Sequence, residues 1–131
     1  MKQIEGICHC SGVRWCFTGE LTQATVCNCT ICRRYGAIWG YGLERVNITV
    51  TGETRTYRRG TDLAFHFCGR CGCVTHWRAE SVMAGGTRRI GVNLRLAEPR
   101  DVAGLQVERL DGLETMLALS DESHCVGDYV S

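Results

Sequence analysis

The chain has 131 residues, 44% of them hydrophobic and 22% charged, with a formal net charge of +1. That length fits one domain with one core, and the near-neutral charge excludes a basic nucleic-acid tail or a broad membrane-binding field. The departure from ordinary composition is ten cysteines beside 16 glycines and a single proline.

The opening stretch, MKQIEGICHCSG, has one lysine but no apolar core and no small-residue cleavage site. No export signal is read there, and a cytoplasmic location is expected. No run of about 18 apolar residues occurs, so no transmembrane helix and no membrane partner are expected. Short segments rich in β-branched and aromatic residues then recur at 13–17, 24–26, 46–51, 54–58, 64–67, 74–77 and 88–94. Glycine-bearing turns at 10–12, 18–19, 51–52, 59–60 and 85–86 separate them. The pattern predicts a mainly β fold of short antiparallel sheets. Residues 111–119, DGLETMLAL, read as one or two helical turns, and 121–131 as a polar, mobile tail. No repeat or second domain is visible. The expectation is a single domain over 1–131, with a motif-bearing core at 5–98 and a less defined segment at 111–131.

Seven cysteines fall into Cys8-x-Cys10, Cys27-x-Cys29-x-x-Cys32 and Cys68-x-x-Cys71. These spacings suit soft metal ions in a reducing compartment better than disulfides. An i, i+2 pair on an extended segment projects both thiols to one side. Cys68-Gly-Arg-Cys71-Gly72 has the form of a zinc knuckle, with glycine allowing the bend. Cys8, Cys10, Cys68 and Cys71 together supply four thiolates, a closed structural tetrahedron that staples an early strand to a late one.

Cys27, Cys29 and Cys32 supply only three. Three protein ligands with an open fourth position characterise a catalytic zinc. The alternative is a closed site, for which Cys73 is the first candidate ligand and His66, His9 and His76 follow. Arg33 and Arg34, directly behind Cys32, and Arg70 in the knuckle offset thiolate charge. Arg33 and Arg34 are also candidates for receiving the carboxylates of an anionic ligand. Cys16 reads as a small buried residue and Cys125 as a free thiol. Trp15, Trp39 and Trp77 read as core, with Tyr35 and Trp39 close enough to the middle cluster to wall a pocket.

GICHCSGVRW, VCNCTICRRYGAIWG and FHFCGRCGCVTHW, in that order, resemble the glutathione-dependent formaldehyde-activating enzyme family, which shares its domain with centromere protein V. The resemblance spans about residues 5–98, and GVNLRLAEP is similar to the family's late strand. It implies an Mss4-like β fold stapled by zinc, with two zinc ions per chain. Carried over by position, Cys8, Cys10, Cys68 and Cys71 match the structural zinc ligands, and Cys27, Cys29 and Cys32 the catalytic ones. It implies a carbon–sulfur lyase acting on a glutathione adduct such as S-hydroxymethylglutathione. Asn28 stands where a histidine is common in the family, and beyond Pro99 no match to its usual C-terminal segment is found.

Two classes of function follow. In the first, the open zinc position takes water or a substrate thiolate, and Arg33 and Arg34 orient the carboxylates of glutathione or a related thiol. No carboxylate lies in the three motifs, so the general base falls to a zinc-bound hydroxide or to a histidine such as His66. In the second, the chain is a non-catalytic zinc-built binding module for a protein or nucleic-acid partner. The near-neutral charge argues against nucleic acid, although Arg55, Arg58, Arg59, Arg88 and Arg89 supply a local basic patch. A dithiol redox role for Cys68 and Cys71 lacks the βαβ pattern that accompanies it. The sequence sets no oligomeric state.

Overall fold

A computed structural model describes residues 2–119 and 124–129. Its first half holds β1 (Gln3–Ile7), β2 (Arg14–Thr18), β3 (Gln23–Cys27), the one-turn helix α1 (Cys32–Tyr35), β4 (Trp39–Leu43), β5 (Ile48–Thr51) and β6 (Thr54–Arg59). The second half holds β7 (Leu63–Cys68), β8 (Val74–Ala79), β9 (Arg89–Asn93), α2 (Pro99–Val102), β10 (Gln106–Asp111), β11 (Leu117–Ala118) and β12 (His124–Cys125). Strands β1, β2 and β5 make a small antiparallel sheet in the order β1-β2-β5. The others form a large sheet, β11-β10-β3-β4-β9-β8-β7-β6, with β12 also on β10. The fold is mainly β, and its pairings are antiparallel except for β10 on β3, which run parallel.

Side chains alternate across a strand, so the two faces of the large sheet carry different cores. Ile90 and Val92 of β9 pack with Ile4, Trp15, Phe17 and Ile48 of the small sheet, and with Leu94 and Val102. On the other face Phe65 and Trp77, paired across β7 and β8, pack with Trp39, Ala37, Cys27, Cys29 and Cys32. Trp77 sits directly over Gly91, its partner on β9, where an added Cβ would lie 2.2 Å from the indole Nε1. No side chain larger than hydrogen leaves room for that ring. A third, small cluster holds Cys8, Val13 and Cys68.

Segment 111–119 is not helical. Asp111 closes β10, and its carboxylate captures the backbone N–H of Glu114 and the hydroxyl of Thr115. Its backbone carbonyl accepts from Met116 N–H at 2.7 Å, and Met116 enters the left-handed region at φ 60°. The chain then returns as β11 against β10. An aspartate that binds its own following backbone competes with a helix and makes a turn instead. The strand expected from residue 46 begins only at Ile48, because Val46 lies in a turn donating to Leu43 O. Of the polar tail, 121–123 and 130–131 lie outside the described residues; 124–125 pair with β10, and Val126 is fully buried.

Candidate metal centres

The first cluster is built from two tight turns. After β1, Ser11 N–H closes on Cys8 O and Ser11 takes φ 69°; after β7, Gly72 N–H closes on Cys68 O and Gly72 takes φ 81°. Backbone N–H groups of Val13 and Arg70 point at the sulfurs of Cys8 and Cys68, at 3.2 and 3.4 Å. The sulfurs of Cys8, Cys10, Cys68 and Cys71 all lie within 4.8 Å of one another. Cys8 and Cys10 are 3.7 Å apart and Cys10 and Cys68 3.5 Å. Four thiolates on one zinc at about 2.3 Å stand about 3.8 Å apart along each tetrahedral edge. The donor set therefore fits a zinc ion.

Electrostatics agree. Backbone N–H donors, that of Cys73 first, pull the Cys71 thiol down to about 5. Cys10 feels the N–H of Gly12 pulling it down, yet the crowded thiols of Cys68, Cys8 and Cys71, together with burial, push it up to about 11. Without a cation the cluster cannot ionise together, and a divalent ion relieves that repulsion.

The second cluster sits at the end of β3. Cys27 is the last residue of that strand, opposite Leu110 of β10, and Cys32 opens α1, which ends at Gly36 in the left-handed conformation. Cys29 N–H points at Cys27 Sγ at 3.5 Å, and Cys32 N–H at Cys29 Sγ at 3.3 Å. All three residues are buried, and their sulfurs lie within 4.8 Å of one another. Burial pushes the thiols of Cys27 and Cys32 up. Burial acts on Cys29 too, but the backbone N–H groups of Cys32 and Ile31 outweigh it and hold that thiol down.

Among the described residues no fourth Cys, His, Asp or Glu joins this group. Cys73 packs instead beside Cys8, Cys68 and Cys71. His66 and His76 stack on each other at 4.3 Å, with their Nδ1 atoms on Thr54 and Thr75, on the sheet face opposite Phe65 and Trp77. His9 is exposed in the first turn.

In place of a fourth ligand there is space. A cavity of about 160 Å³ lies over the three sulfurs, walled by Trp39, Phe65, Trp77, Leu63, Leu110 and Met116 and edged by Tyr41, Arg59, Arg89 and Gly112. Tyr41 meets Trp77 edge-on at 5.6 Å, and the Arg89 guanidinium lies 5.4 Å above the Trp77 ring. Burial raises Tyr41 to about 12, with a contact from Thr25 acting the other way, so its hydroxyl keeps its proton at neutral pH.

A sequence profile described as "Glutathione-dependent formaldehyde-activating enzyme" matches residues 3–100. The chain belongs to this family. A crystal structure of a Rhodobacter sphaeroides protein superposes on it with a TM-score of 0.58 at 27% identity, covering 77% of this chain and 96% of that one. No match is found among curated protein sequences. Family membership implies an enzyme acting on glutathione adducts, and both cysteine clusters have the chemistry of metal sites. No helix among the described residues is long and apolar enough to cross a membrane.

Arg33 and Arg34 are both exposed on α1; Arg34 donates to Thr30 O, and neither lines the cavity. The basic patch read from the sequence divides. Arg58 pairs with Glu80 and Arg88 donates to Ala79 O, whereas Arg59 and Arg89 reach the cavity. Trp39 lines the cavity while Tyr35 packs behind it, its ring tilted 57° against Phe65. Leu110, Gly112 and Met116 carry no sequence signal for a site, since only the pairing of β10 with β3 brings them there.

Proposed function

We propose that the protein is a zinc-dependent carbon–sulfur lyase of the cytoplasm, acting on an adduct of glutathione or a similar thiol such as S-hydroxymethylglutathione. Cys8, Cys10, Cys68 and Cys71 hold a structural zinc, and Cys27, Cys29 and Cys32 a catalytic one. The observation that carries this reading is the contrast between the clusters. One is a closed set of four sulfurs; the other is a set of three at the base of an open cavity.

Zinc, when bound to three thiolates, supplies a Lewis-acidic charge that lowers the pKa of a coordinating thiol and stabilises a departing sulfur. The rest falls to the chain. Trp39, Phe65 and Trp77 exclude water from the base of the cavity and hold the adduct against the cysteines. In the cleavage RS–CH₂–OH → RS⁻ + O=CH₂ + H⁺, the carbon–sulfur bond breaks with its electron pair going to sulfur. The hydroxyl loses its proton and the oxygen forms the carbonyl. Among the described residues neither a carboxylate nor an imidazole lines the cavity, and the proton leaves to water at the mouth. Tyr41, protonated at neutral pH, donates a hydrogen bond to the reacting oxygen. Burial raises the Cys29 thiol, but the backbone N–H groups of Cys32 and Ile31 help to hold it below its ordinary value, which favours it as a ligand.

Exchange NMR with ¹³C-formaldehyde and glutathione tests this reading. The zinc-loaded protein should accelerate exchange between hydrated formaldehyde and the hemithioacetal in proportion to its concentration, and Cys32→Ser should abolish the effect. Exchange no faster than with the metal-free protein would contradict it.

A further inference from the structure

The cavity over Cys27, Cys29 and Cys32 has a composition that a one-carbon hydroxymethyl group does not require. A water molecule's share of liquid is ~30 Å³, and a cavity of about 160 Å³ is several times that. Its walls, Trp39, Phe65, Trp77 and Leu63, offer apolar surface. Its rim carries two cations. The side chains of Arg59 and Arg89 form no ion pair or hydrogen bond among the described residues, whereas those of their neighbours Arg58 and Arg78 are paired with Glu80 and Glu44. Arg89 is fixed over Trp77 by a cation–π contact, which leaves its N–H edge for an anion.

Resting on the lyase reading, we propose that the substrate is a thiol adduct of two unlike halves. The carbon half carries an apolar alkyl or aryl substituent that enters the aromatic cavity. The thiol half carries carboxylates, as glutathione does, that Arg59 and Arg89 bind at the rim. An apolar group shields the three-cysteine centre from water, and the guanidiniums fix which way the adduct enters. A formaldehyde adduct fits the rim but leaves the aromatic walls largely uncovered.

The test is binding to the zinc-loaded protein, read by quenching of tryptophan fluorescence, with S-methylglutathione, S-benzylglutathione and 3-(benzylthio)propionate as probes. S-Benzylglutathione should bind about tenfold or more tightly than S-methylglutathione, since the added ring buries apolar area. Arg59→Gln and Arg89→Gln, both at exposed positions, should each weaken S-benzylglutathione several-fold and flatten its salt dependence. Failure of both glutathione conjugates alongside Arg-dependent binding of 3-(benzylthio)propionate would sink the glutathione reading and support the two-sided site. Equal affinity for the methyl and benzyl conjugates, indifference to both arginine substitutions, or no binding of any probe would overturn the inference.

Discussion

The side-chain amide of Asn28 donates to Asp111 Oδ1 across 3.1 Å, and its carbonyl accepts the backbone N–H of Leu113 at 3.0 Å. Asn28 lies between two cysteines of the open cluster, and Asp111 begins the turn that carries Gly112 and Met116 to the cavity. The pair therefore clips a wall of the cavity to the loop of the three-cysteine cluster. Asn28 also donates from its backbone to Leu110 O at 3.2 Å, so the clip has a main-chain half that substitution leaves intact.

Asn28→Ala should loosen that loop without unfolding the chain. Residues that orient a metal's ligands typically contribute 10–100-fold to its affinity. The expected result is faster loss of one zinc equivalent to a chromogenic chelator, by about tenfold, with the other equivalent unchanged. Release of that equivalent at the wild-type rate would show that the Asn28–Asp111 pair does not hold the loop.

Gly112 approaches the same cysteines by backbone. A Cβ there would stand 2.4 Å from Cys27 Sγ and 3.3 Å from Cys29 Cβ. Gly112→Ala must push the turn off the cluster, because Cys27 is anchored in β3. Its measured zinc content should fall from two equivalents towards one while the circular dichroism of the β sheet is kept.

The two clusters should respond differently to loss of a ligand. Cys8, Val13 and Cys68 form only a small core, so the joint between the β1 and β7 turns should depend on the proposed structural zinc. Cys27, Cys29 and Cys32 lean on Trp39, Phe65 and Trp77, which remain packed without it. Cys8→Ser should broaden the thermal unfolding transition and lower its midpoint sharply, whereas Cys32→Ser should remove one zinc and leave the midpoint within a few degrees. Calorimetry with zinc analysis decides this.

His76 makes stability sensitive to acid. It is 1% exposed, its Nδ1 bonds Thr75, its Nε2 has no partner among the described residues, and burial, helped by His66 and Arg78, holds its pKa at about 2. The unfolded chain takes up this proton below about pH 6.5, whereas the folded chain stays neutral until about pH 2. Because the unfolded state binds more protons across that window, stability falls as pH falls, by up to ~1.4 kcal/mol per pH unit. His76→Phe should flatten the stability–pH slope between pH 6 and 4 by that amount. The share due to proton competition at the cysteines persists in both proteins, so an unchanged slope would show that His76 contributes nothing.

Much of this was legible in the sequence. The strand segments from β6 to β9 alternate or carry aromatic runs between glycine turns, and the three cysteine motifs announce the two clusters by spacing alone. What escaped has physical causes. β4, WGYGL, carries glycines with little strand propensity of their own, and the fold uses them for close packing against Leu94 and Asn47. β10, QVERLD, is polar and half-buried, so its period is weak; its place is set by parallel pairing with a strand 83 residues earlier in register, Gln23 with Gln106. The cavity's arginines were visible only as part of a basic patch, because which of them find a carboxylate depends on Glu44 and Glu80 arriving from other strands.

We propose that the three-cysteine centre keeps an exchangeable position for a thiol. Cobalt substitution followed by glutathione titration tests it most directly, through the sulfur-to-cobalt charge-transfer and d–d bands. Saturable change at one of two cobalt sites, lost in Cys32→Ser and kept in Arg33→Gln, is the predicted result. Two cobalt sites already four-coordinate and indifferent to glutathione would contradict the account.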